Sequence, residues 1–448
     1  MPTCSLHPLP YRPDPAEYFS YIRNAPAAVL FDGGQPDSQR ARYDLMSAWP
    51  LAALAPAADE SANDFAQRLR AALAQLGEAG LPAGVELPFA GGLMGYLAYD
   101  FGRRVEALQI QAVNDLHLPD AQFGLYDWAL ISDHQLQTSQ LLFHPTVAAE
   151  QRQQLVALFS QPTPAPAAPF QLQQPFRADL THEQYRAAFT RIQGYIQAGD
   201  CYQVNFAQRF RAPCQGDAWS AYLALREACP TPFSGFQRLS DDSAILSLSP
   251  ERFVRVHGGQ VETRPIKGTR PRSDNPAIDR ANAEELLSSP KDRAENLMIV
   301  DLLRNDLGRS CATGSVRVPE LFALESYPNV HHLVSAVTGT LAADKDALDL
   351  LVSSFPGGSI TGAPKIRAMQ IIDELEPTQR AVYCGSLLYV DVRGEMDSSI
   401  AIRSLLIKDG QASCWGGGGI VADSDCEAEY RESITKVKVL LETLEQLS

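Results

Sequence analysis

The sequence contains no apolar run of about 18 residues, so no segment is expected to cross a membrane as a helix. Its first residues show neither a basic start nor an apolar stretch, and we therefore expect no secretory signal peptide. The 8 cysteines include no Cys-x-x-Cys pair, which argues against a zinc or disulfide framework. Together these absences predict a cytoplasmic protein with reduced thiols.

Positive charge is also scarce. The chain has 38 Lys and Arg residues against 53 Asp and Glu residues, which gives a net charge of −15. Because nucleic-acid phosphates need a basic surface, a nucleic-acid partner is not expected. An acidic protein that binds a small anion needs local Arg or Lys side chains, backbone N–H groups or a metal ion at that place.

Apolar residues are plentiful enough for a large core, since 45% of the 448 residues are hydrophobic. A segment rich in Pro, Ala and Gln at 161–175 predicts a linker between an N-terminal region, 1–160, and a second part, 176–448. Apolar periodicity predicts helices at 63–78, 181–198, 217–228, 275–287, 291–306, 345–353, 363–374 and 426–446. Short apolar runs predict strands at 27–31, 89–100, 123–133, 202–210, 244–248, 252–256, 259–264, 316–318, 334–340, 383–390, 398–407 and 411–415. Because several strands follow one another directly, an α+β fold with antiparallel sheets is favoured.

Two predicted helices carry carboxylates on faces that are otherwise apolar or crowded. Glu295 shares a helix face with Ile299, and Glu429, Glu432 and Lys436 line one face of the last helix. Two carboxylates one turn apart repel each other unless a positive group lies between them. Lys436 or a hard cation such as Mg²⁺ would serve. An ordinary solvated helix face has the same pattern, so the spacing alone leaves both interpretations open.

Two glycine-rich segments are candidates for anion binding. The loop that contains Ser359, Thr361 and Gly362 leads into a predicted helix, whose N-terminus would present backbone N–H groups to an anion. The run 416–419 consists of four glycines, a composition that allows a ligand close to the main chain. The alternatives are a tight loop and a flexible hairpin tip, although the apolar residues 420–422 argue against a free tip.

Lys267 stands at the end of a predicted strand and directly before a glycine. Burial would lower the pKa of its amine and make it a nucleophile, whereas most such lysines are solvated. Glu251 lies 16 residues earlier, and two strands joined by a turn would bring the pair together. His331 and His332 alternate in a strand, so one ring is expected to face inward. Arg403, in an apolar strand, needs an anionic partner, either a structural carboxylate or a ligand.

Several long segments resemble the chorismate-utilising enzymes. This family includes component I of anthranilate synthase and of aminodeoxychorismate synthase, isochorismate synthases and salicylate synthases. The resemblance is dense over about 175–440 and extends to the N-terminal region at 42–44 and 88–104. Its motifs are SPERF (249–253), RPIKGT (264–269), AENLMIVDLLRNDLGR (294–309), HHLVS (331–335), FPGGSITGAPKIRAM (355–369), VYCGS (382–386), SIAIRSL (399–405) and GGGGIVADSD (416–425) followed by EYRES (429–433).

The resemblance implies a fold and a set of site residues. The fold would be two large antiparallel sheets packed as a sandwich with helices around them, and 176–448 would be the chorismate-binding catalytic domain. Mg²⁺ would be held by Glu295 and Glu432, with Glu429 acting through water. The substrate would be bound by Tyr383, Arg403, Lys436, Ser359, Thr361, Gly362 and the N–H groups of Gly417 and Gly419.

The lysine at position 267 resembles the residue found in one branch of the family, because the anthranilate, isochorismate and salicylate synthases usually carry Ala at this position. The PIKGT sequence is similar to aminodeoxychorismate synthase component I. That resemblance implies Lys267 as nucleophile, Glu251 as general acid and His332 as an orienting or polarising group. The chain has no glutaminase-type cysteine, so a glutamine amidotransferase subunit would supply ammonia. Gly33 replaces a Ser that relatives often carry, which argues against their tryptophan pocket.

Two other functions remain as alternatives at this stage. The first is anthranilate synthase component I, which would aminate chorismate at C2 and release pyruvate. The second is a non-catalytic subunit that binds chorismate or a partner, for which Glu251 and Lys267 would be dispensable. The products distinguish the two synthases.

Overall fold

A computed structural model describes residues 1–34, 42–106, 108, 110–239, 243–327 and 330–447. Its helices are α1 Pro15–Phe19, α2 Ala62–Leu76, α3 Gly102–Val105, α4 Ala149–Phe159, α5 His182–Ala198, α6 Ala218–Ala228, α7 Pro276–Ser288, α8 Pro290–Gly308, α9 Ala347–Ser354, α10 Lys365–Leu375 and α11 Cys426–Glu445. Two 3₁₀ turns span Tyr99–Phe101 and Gly358–Ile360.

The strands of the first half are β1 Ser5–Leu9, β2 Val29–Asp32, β3 Tyr43–Ser47, β4 Ala52–Leu54, β5 Gly92–Leu97, β6 Ala121–Tyr126, β7 Trp128–Asp133, β8 Thr138–Phe143, β9 Gln171–Leu172, β10 Arg177–Ala178 and β11 Gln203–Gln215. Those of the second half are β12 Phe233–Arg238, β13 Ala244–Ser249, β14 Arg252–His257, β15 Gln260–Thr263, β16 Ile266–Pro271, β17 Arg317–Ser326, β18 Val330–Thr340, β19 Gly362–Ala363, β20 Ser386–Asp391, β21 Met396–Ser399, β22 Ser404–Lys408 and β23 Gln411–Val421.

The strands form two large antiparallel sheets. The first runs β1-β8-β7-β3-β2-β12-β13-β22-β23-β11-β10, with β9 and β19 also paired to β11. The second runs β16-β18-β15-β14-β21-β20-β5-β6-β4, with β17 paired to β18. This architecture confirms the predicted α+β class with antiparallel sheets.

Both sheets draw strands from either side of the segment 161–175. In the first sheet β2 pairs with β12, and in the second β5 pairs with β20. The largest apolar core also mixes the two parts, since Phe65 and Tyr96 belong to the same cluster as Tyr185 and Leu388. The boundaries at 160 and 176 remain a prediction, and the two parts share their sheets and their core.

Local signals explain why the predicted helices appear where they do. Thr181 caps α5 by accepting from the N–H of Gln184, whose side chain in turn accepts from the Thr181 N–H. Ser61 caps α2 and Asp425 caps α11 in the same manner, through a side-chain oxygen. These caps hold backbone N–H groups that the first helical turn leaves unpaired.

Several strand predictions are wrong in extent. The segment 123–133 is two strands, β6 and β7, and 398–407 is also two, β21 and β22, in different sheets. β17 runs to Ser326 rather than ending at 318, and β23 continues through the glycines to Val421. The splits fall where the chain leaves one sheet for the other, a change that apolar periodicity does not record.

None of the helices in the described residues is both long enough and apolar enough to span a membrane. The eight cysteines are all free thiols, and Cys426 alone among them is partly exposed.

Candidate active site

The candidate site lies where strands β22 and β23 of the first sheet separate. β22 pairs with β23 only along Leu405–Lys408, whereas β11 accompanies β23 as far as Val421. Beyond Cys414, one edge of β23 therefore has no partner strand in the described part of the chain. A gap opens there in the sheet, with main-chain groups along one side.

The N–H groups of Gly417 and Gly419 point into this gap. Opposite them on β11, the Ala207 N–H donates to Glu376 and the Asn205 N–H donates to the carbonyl oxygen of Thr361, both away from β23. In an antiparallel pair, two directly opposite residues either both point their N–H and C=O groups toward each other or both point them away. Because Ala207 and Asn205 point theirs away from β23, Gly417 and Gly419 point theirs away from β11. Lys436 Nζ donates to the Gly417 carbonyl oxygen at 3.0 Å, which agrees with this orientation. The arrangement supports the predicted anion-binding role of these two glycines.

The glycine run is buried within a strand and is not a hairpin tip. A Cβ on Gly416 would lie 2.0 Å from the carbonyl oxygen of Ser433, so α11 packs directly on the main chain of β23. A Cβ on Gly418 would meet Glu429 Oε2 at 3.2 Å and Glu432 Oε1 at 3.5 Å. The missing side chains therefore bring the acidic face of α11 against the strand.

That face carries Glu429, Glu432 and Lys436, as the spacing predicts. Lys436 Nζ lies 2.7 Å from Glu432 Oε1, and the Ser424 hydroxyl donates to Glu429 Oε1 at 2.7 Å. Burial raises the pKa of Glu429. Burial also acts to raise the pKa of Glu432, but the positive charges of Lys436 and neighbouring lysines outweigh it and the pKa is lowered.

Glu295 reaches the same place from α8. Its carboxylate lies 3.9 Å from Lys291 Nζ, and burial raises its pKa against the attraction of Lys267 and Lys291. The negative charge of Glu429 on α11 also acts to raise the pKa of Glu295. Two helices distant in sequence thus bring their carboxylates together.

A β-bulge aims Lys267 into this region. Ile266 faces Val334 and Thr269 faces His332, so β16 has one residue more than β18 between these pairs. Gly268 takes φ +86°, and a Cβ there would lie 2.8 Å from the Leu286 side chain. The prediction that Lys267 ends a strand is wrong, because it is the second residue of β16. The bulge turns its side chain out of the regular alternation.

The amine of Lys267 and the carboxyl of Glu251 share one buried environment, as predicted. Lys267 Nζ donates to the Ser359 carbonyl oxygen at 3.1 Å. Burial lowers the pKa of Lys267 and Lys436 lowers it further, while Glu295 and Glu251 raise it without restoring the ordinary value. Burial raises the pKa of Glu251 to about 7, opposed by a hydrogen bond with Ser359 and by the charge of Lys267. An amine with a lowered pKa therefore lies beside a carboxyl group with a raised pKa.

Both histidines are buried, so the expectation that one faces outward is wrong. Each is 3% exposed, because α7 covers the second face of β18. His331 contacts Asp279 of α7 at 3.1 Å. His332 lies on the other face with Nδ1 2.9 Å from the Thr269 hydroxyl. Burial, together with nearby Arg403, lowers the pKa of His332 to about 4, which leaves its ring neutral.

Arg403 does not lie in a strand. It occupies a bend before β22 with φ +51°, and its carbonyl oxygen accepts from the Leu248 N–H. Among the described residues Arg403 forms no ion pair with a carboxylate, and Nη1 contacts Cys229 Sγ at 3.9 Å. The structural carboxylate considered from the sequence is therefore not found, and this guanidinium is open to an anionic ligand.

The loop between α9 and α10 forms another wall. Ser359 touches both Lys267 and Glu251, whereas the Thr361 hydroxyl donates within the loop to the Gly357 carbonyl oxygen at 3.1 Å. Gly362 has φ +147°, and a Cβ there would lie 2.1 Å from the Gln203 carbonyl oxygen. The backbone of this loop therefore approaches β11 as closely as glycine allows.

Tyr383 lies on the buried side of the same region. Its ring stacks on Trp415 with centroids 6.1 Å apart and an interplanar angle of 5°. Burial raises the pKa of Tyr383, so its hydroxyl stays protonated. A protonated phenol next to the glycine strand is able to donate to a carboxylate.

The acidic residues fit a hard cation that is completed by its ligand. In the described part of the chain, no group of three or more His, Cys, Asp and Glu side chains is arranged to hold a metal ion by itself. The charge of Glu429 nevertheless acts on Glu295 and that of Glu432 acts on Glu429, so the three carboxylates lie in one region, and carboxylate oxygens are the ligands that Mg²⁺ prefers. Mg²⁺ is commonly held by one or two carboxylates and the oxygens of its substrate. The set therefore fits a magnesium ion that binds together with a carboxylate.

The model of the chorismate-binding enzyme family matches residues 27–442. The chain belongs to this family. The predicted resemblance is thereby confirmed, and the gap in the first sheet lies at the residues whose motifs carried it.

Relatives of this chain include proteins named as components of two different synthases. The chain is 47% identical to "Aminodeoxychorismate synthase component 1" of Salmonella typhimurium over 98% of this chain and 97% of that protein, and 47% identical to the Escherichia coli protein of the same name over 97% of each. It is 36% identical to "Anthranilate synthase component 1" of Mycolicibacterium smegmatis over 95% of this chain and 87% of that protein.

A solved structure in the family has the same architecture. The crystal structure of anthranilate synthase component I from Streptococcus pneumoniae TIGR4 superposes with a TM-score of 0.79 at 30% identity, covering 90% of this chain and 93% of that chain. The sandwich of antiparallel sheets with surrounding helices, which the family resemblance implied, is confirmed.

Sequence reasoning missed two polar groups around the candidate site. Lys291 lies one turn before Glu295, and the i, i+4 spacing of the pair was a signal for it. Gln203 is fully buried, and neither polar atom of its amide has a hydrogen-bond partner in the described structure. A Cβ on Gly419 would lie 2.8 Å from its Nε2 atom. A polar residue opening the apolar strand β11 was the available signal.

A second cavity, of about 360 Å³, lies between the two sheets and shares none of the predicted site residues. Its lining includes Phe31, Gly33, Tyr43, Arg252 and Tyr389. The absence of the tryptophan pocket, which Gly33 suggested, stays a prediction.

Proposed function

We propose that this chain is the chorismate-aminating component of an aminodeoxychorismate synthase, which converts chorismate and ammonia to 4-amino-4-deoxychorismate for 4-aminobenzoate and folate biosynthesis. The observation that carries the proposal is the amine of Lys267, which is partly buried, has a lowered pKa and lies beside a carboxylic acid. The relatives of Salmonella typhimurium and Escherichia coli, which bear this name at 47% identity over nearly the whole chain, support it.

In the first step the Lys267 amine attacks C2 of chorismate. The ring double bonds shift, the C4–O bond breaks, and the hydroxyl leaves as water with a proton from Glu251. A carboxyl with a pKa of about 7 is suited to this role, because it is still protonated near neutral pH and still acidic enough to transfer its proton.

In the second step ammonia attacks C4. The double bonds shift back, the bond between C2 and Lys267 breaks, the amine of Lys267 is regenerated, and the new C4 ammonium returns a proton to Glu251. This double displacement leaves the new amino group on C4. Neutral His332, on the Arg403 side of the site, orients or polarises the substrate near the leaving group.

The two carboxylates of chorismate match two sets of groups in the site. Arg403, Tyr383 and the N–H groups of Gly417 and Gly419 would hold the enolpyruvyl carboxylate. The loop residues Ser359, Thr361 and Gly362, together with Lys436, would enclose the ring carboxylate. Glu295 and Glu432, with Glu429 through water, would hold Mg²⁺, which when bound neutralises negative charge on that carboxylate.

Ammonia requires a supplier, because the described site contains no activated thiol: burial raises the pKa of Cys384, the cysteine of the VYCGS motif, to about 12. The relatives' designation as component 1 indicates a partner subunit in their enzymes. We infer that a glutamine amidotransferase subunit delivers ammonia to this chain.

The decisive experiment is Lys267→Ala, assayed with chorismate, Mg²⁺ and an ammonium salt. We expect the variant to lose most turnover and to keep chorismate affinity within about threefold, because the nucleophile is removed and the carboxylate-binding groups stay. Product mass, measured with and without an added 4-aminobenzoate-forming lyase, checks the result. Lys438→Ala, an exposed lysine on α11, is the matched control.

Each alternative predicts a different outcome of the same assay. Fluorescent anthranilate as the product would identify an anthranilate synthase component instead. Unchanged turnover of Lys267→Ala at saturating ammonia would refute the covalent role of this lysine. A non-catalytic subunit would give no product from the parent chain either.

A further inference from the structure

A single arginine lies behind the loop between α9 and α10 and is fully enclosed by protein. Arg380 is 1% exposed and follows α10 by five residues. Its Nε donates to Glu376 Oε2 at 2.8 Å and its Nη2 donates to Glu376 Oε1 at 2.6 Å. The guanidinium also lies 4.6 Å from the centre of the Tyr99 ring. Its charge is therefore balanced by the carboxylate of Glu376.

The remaining donors of Arg380 hold two separate segments together. Nη1 donates to the Ile360 carbonyl oxygen at 3.0 Å, and Nη2 donates to the Asn205 carbonyl oxygen at 2.5 Å. Ile360 belongs to the loop between α9 and α10, and Asn205 belongs to β11 directly opposite Gly419. One planar group thus joins the loop to the strand that supports the glycine edge.

The Ile360 carbonyl group, to which Arg380 donates, directly follows the Ser359 carbonyl group, which accepts from the proposed nucleophile. Lys267 Nζ donates to the carbonyl oxygen of Ser359, the residue before Ile360. The following residue, Thr361, accepts from the Asn205 N–H at 2.8 Å. The position of the Ser359 carbonyl group is therefore fixed by contacts of its two following neighbours, and one of these contacts comes from Arg380.

We propose that Arg380 is a positioning residue: it fixes the peptide Ser359–Thr361 against β11, and thereby the direction from which Lys267 and Glu251 approach the substrate. The inference rests on the proposed role of Lys267. Arginine is required because it supplies donors in a rigid plane to a carboxylate and two carbonyl groups at once, whereas the single ammonium of lysine does not span them.

The test compares Arg380→Lys and Arg380→Met with the parent chain. Arg380→Lys keeps a positive charge beside Glu376, so it can be measured even if Arg380→Met does not fold. Arg226→Lys is the control, because Arg226 is a partly buried arginine in ion pairs, with Asp32 and Asp14, away from the loop. We expect kcat with ammonia to fall by about 100-fold in folded Arg380→Lys, with KM for chorismate nearly unchanged.

Hydrogen exchange without substrate gives a readout that does not depend on chemistry. Amides of 355–364 should exchange at least about tenfold faster in the Arg380 variants, while those of α5 keep the parent's rates. Equal exchange in the loop, or a loss of kcat no larger than the loss of folded protein, would overturn the proposal. Retained turnover in Lys267→Ala would instead overturn the proposed function and leave the exchange result intact.

A double variant links the two residues. If Arg380 acts through Lys267, Lys267→Ala combined with Arg380→Lys should be no slower than Lys267→Ala alone. Additive losses from the two changes would show that Arg380 acts elsewhere.

Discussion

Opposite shifts of two neighbouring pKa values characterise the site at the scale of single residues. Burial lowers the pKa of Lys267 and raises the pKa of Glu251, so each group is shifted toward its neutral form. A neutral amine is a nucleophile, and a neutral carboxyl is a proton donor. The same desolvation therefore prepares both partners of the first step.

The pH dependence of turnover tests the role of Glu251. Because its pKa is raised to about 7, the acid form is populated below that pH and lost above it. We expect kcat/KM for chorismate, at a fixed concentration of unprotonated ammonia, to fall about tenfold per pH unit above pH 7. Glu251→Gln should lower the rate by about 10² to 10⁴ and remove this limb. A Glu251→Gln profile that keeps the limb would assign it to another group.

Magnesium binding tests the acidic face of α11. Glu432→Gln removes a charged oxygen ligand, so we expect Mg²⁺ affinity in the presence of chorismate to fall by at least about tenfold, as measured by calorimetry. Glu442→Gln, an exposed position on the same helix, should titrate like the parent. Superimposable titrations of Glu432→Gln and the parent would place the ion elsewhere.

At the scale of elements, the contact between β23 and α11 depends on the absence of side chains. Gly416→Ala places a Cβ 2.0 Å from the Ser433 carbonyl oxygen, so the helix must shift. We expect a loss of about 1 to 3 kcal/mol in the free energy of unfolding, from urea denaturation. Gly194→Ala, in α5 with nothing within 4 Å of the added Cβ, should instead gain about 0.5 to 1 kcal/mol. Equal stabilities of the two variants would contradict close packing at Gly416.

Elements with a local signature were predictable from the sequence. The ends of α5 and α11 agree within one residue, because Thr181 and Asp425 cap them through their own side chains. Several strands were missed, among them β1, β3, β8, β12 and β16, since each is short and lacks a clear alternation. Helix α4 was also missed, and it has no side-chain cap. The left-handed backbone of Arg403 and the burial of His331 were also missed, because both depend on neighbours distant in sequence.

The candidate site residues were proposed from family motifs and remain a prediction, whereas their geometry could not be predicted from the sequence. Spacing placed Glu429, Glu432 and Lys436 on one face, which a helix guarantees. Arg380 had no such signal, since its partners Asn205 and Ile360 lie in segments far apart in the chain. Contacts of that kind follow from sheet topology, which no local pattern encodes.

At the scale of the whole molecule, the chain is joined across its predicted linker by both sheets. Removing 1–160 would leave β12 without β2 and β20 without β5, and would expose the core that they share. The second part contains the whole proposed site, but it depends on the first part for strand pairing in both sheets and for contacts in the shared core.

We therefore expect residues 176–448 expressed alone to aggregate or to melt without a sharp transition, by size exclusion and circular dichroism. The matched control is the full chain cut at a protease site inserted within 161–175. Its two pieces should stay together and melt cooperatively, because the cut removes no strand pairing. A monomeric, cooperatively melting 176–448 fragment would contradict the shared-core description.

The glycine edge of β23 has a consequence for how substrate preference could be altered. One side of the substrate gap is lined by bare main chain, and its close contacts with α11 and β11 leave no room for larger residues at 416 or 417. Amino-acid substitutions can therefore change the contacts on that side of the substrate gap very little. Libraries intended to broaden the range of accepted substrates should yield active variants from the opposite side, at β16, β18 and the loop before α10, and almost none from the four glycines.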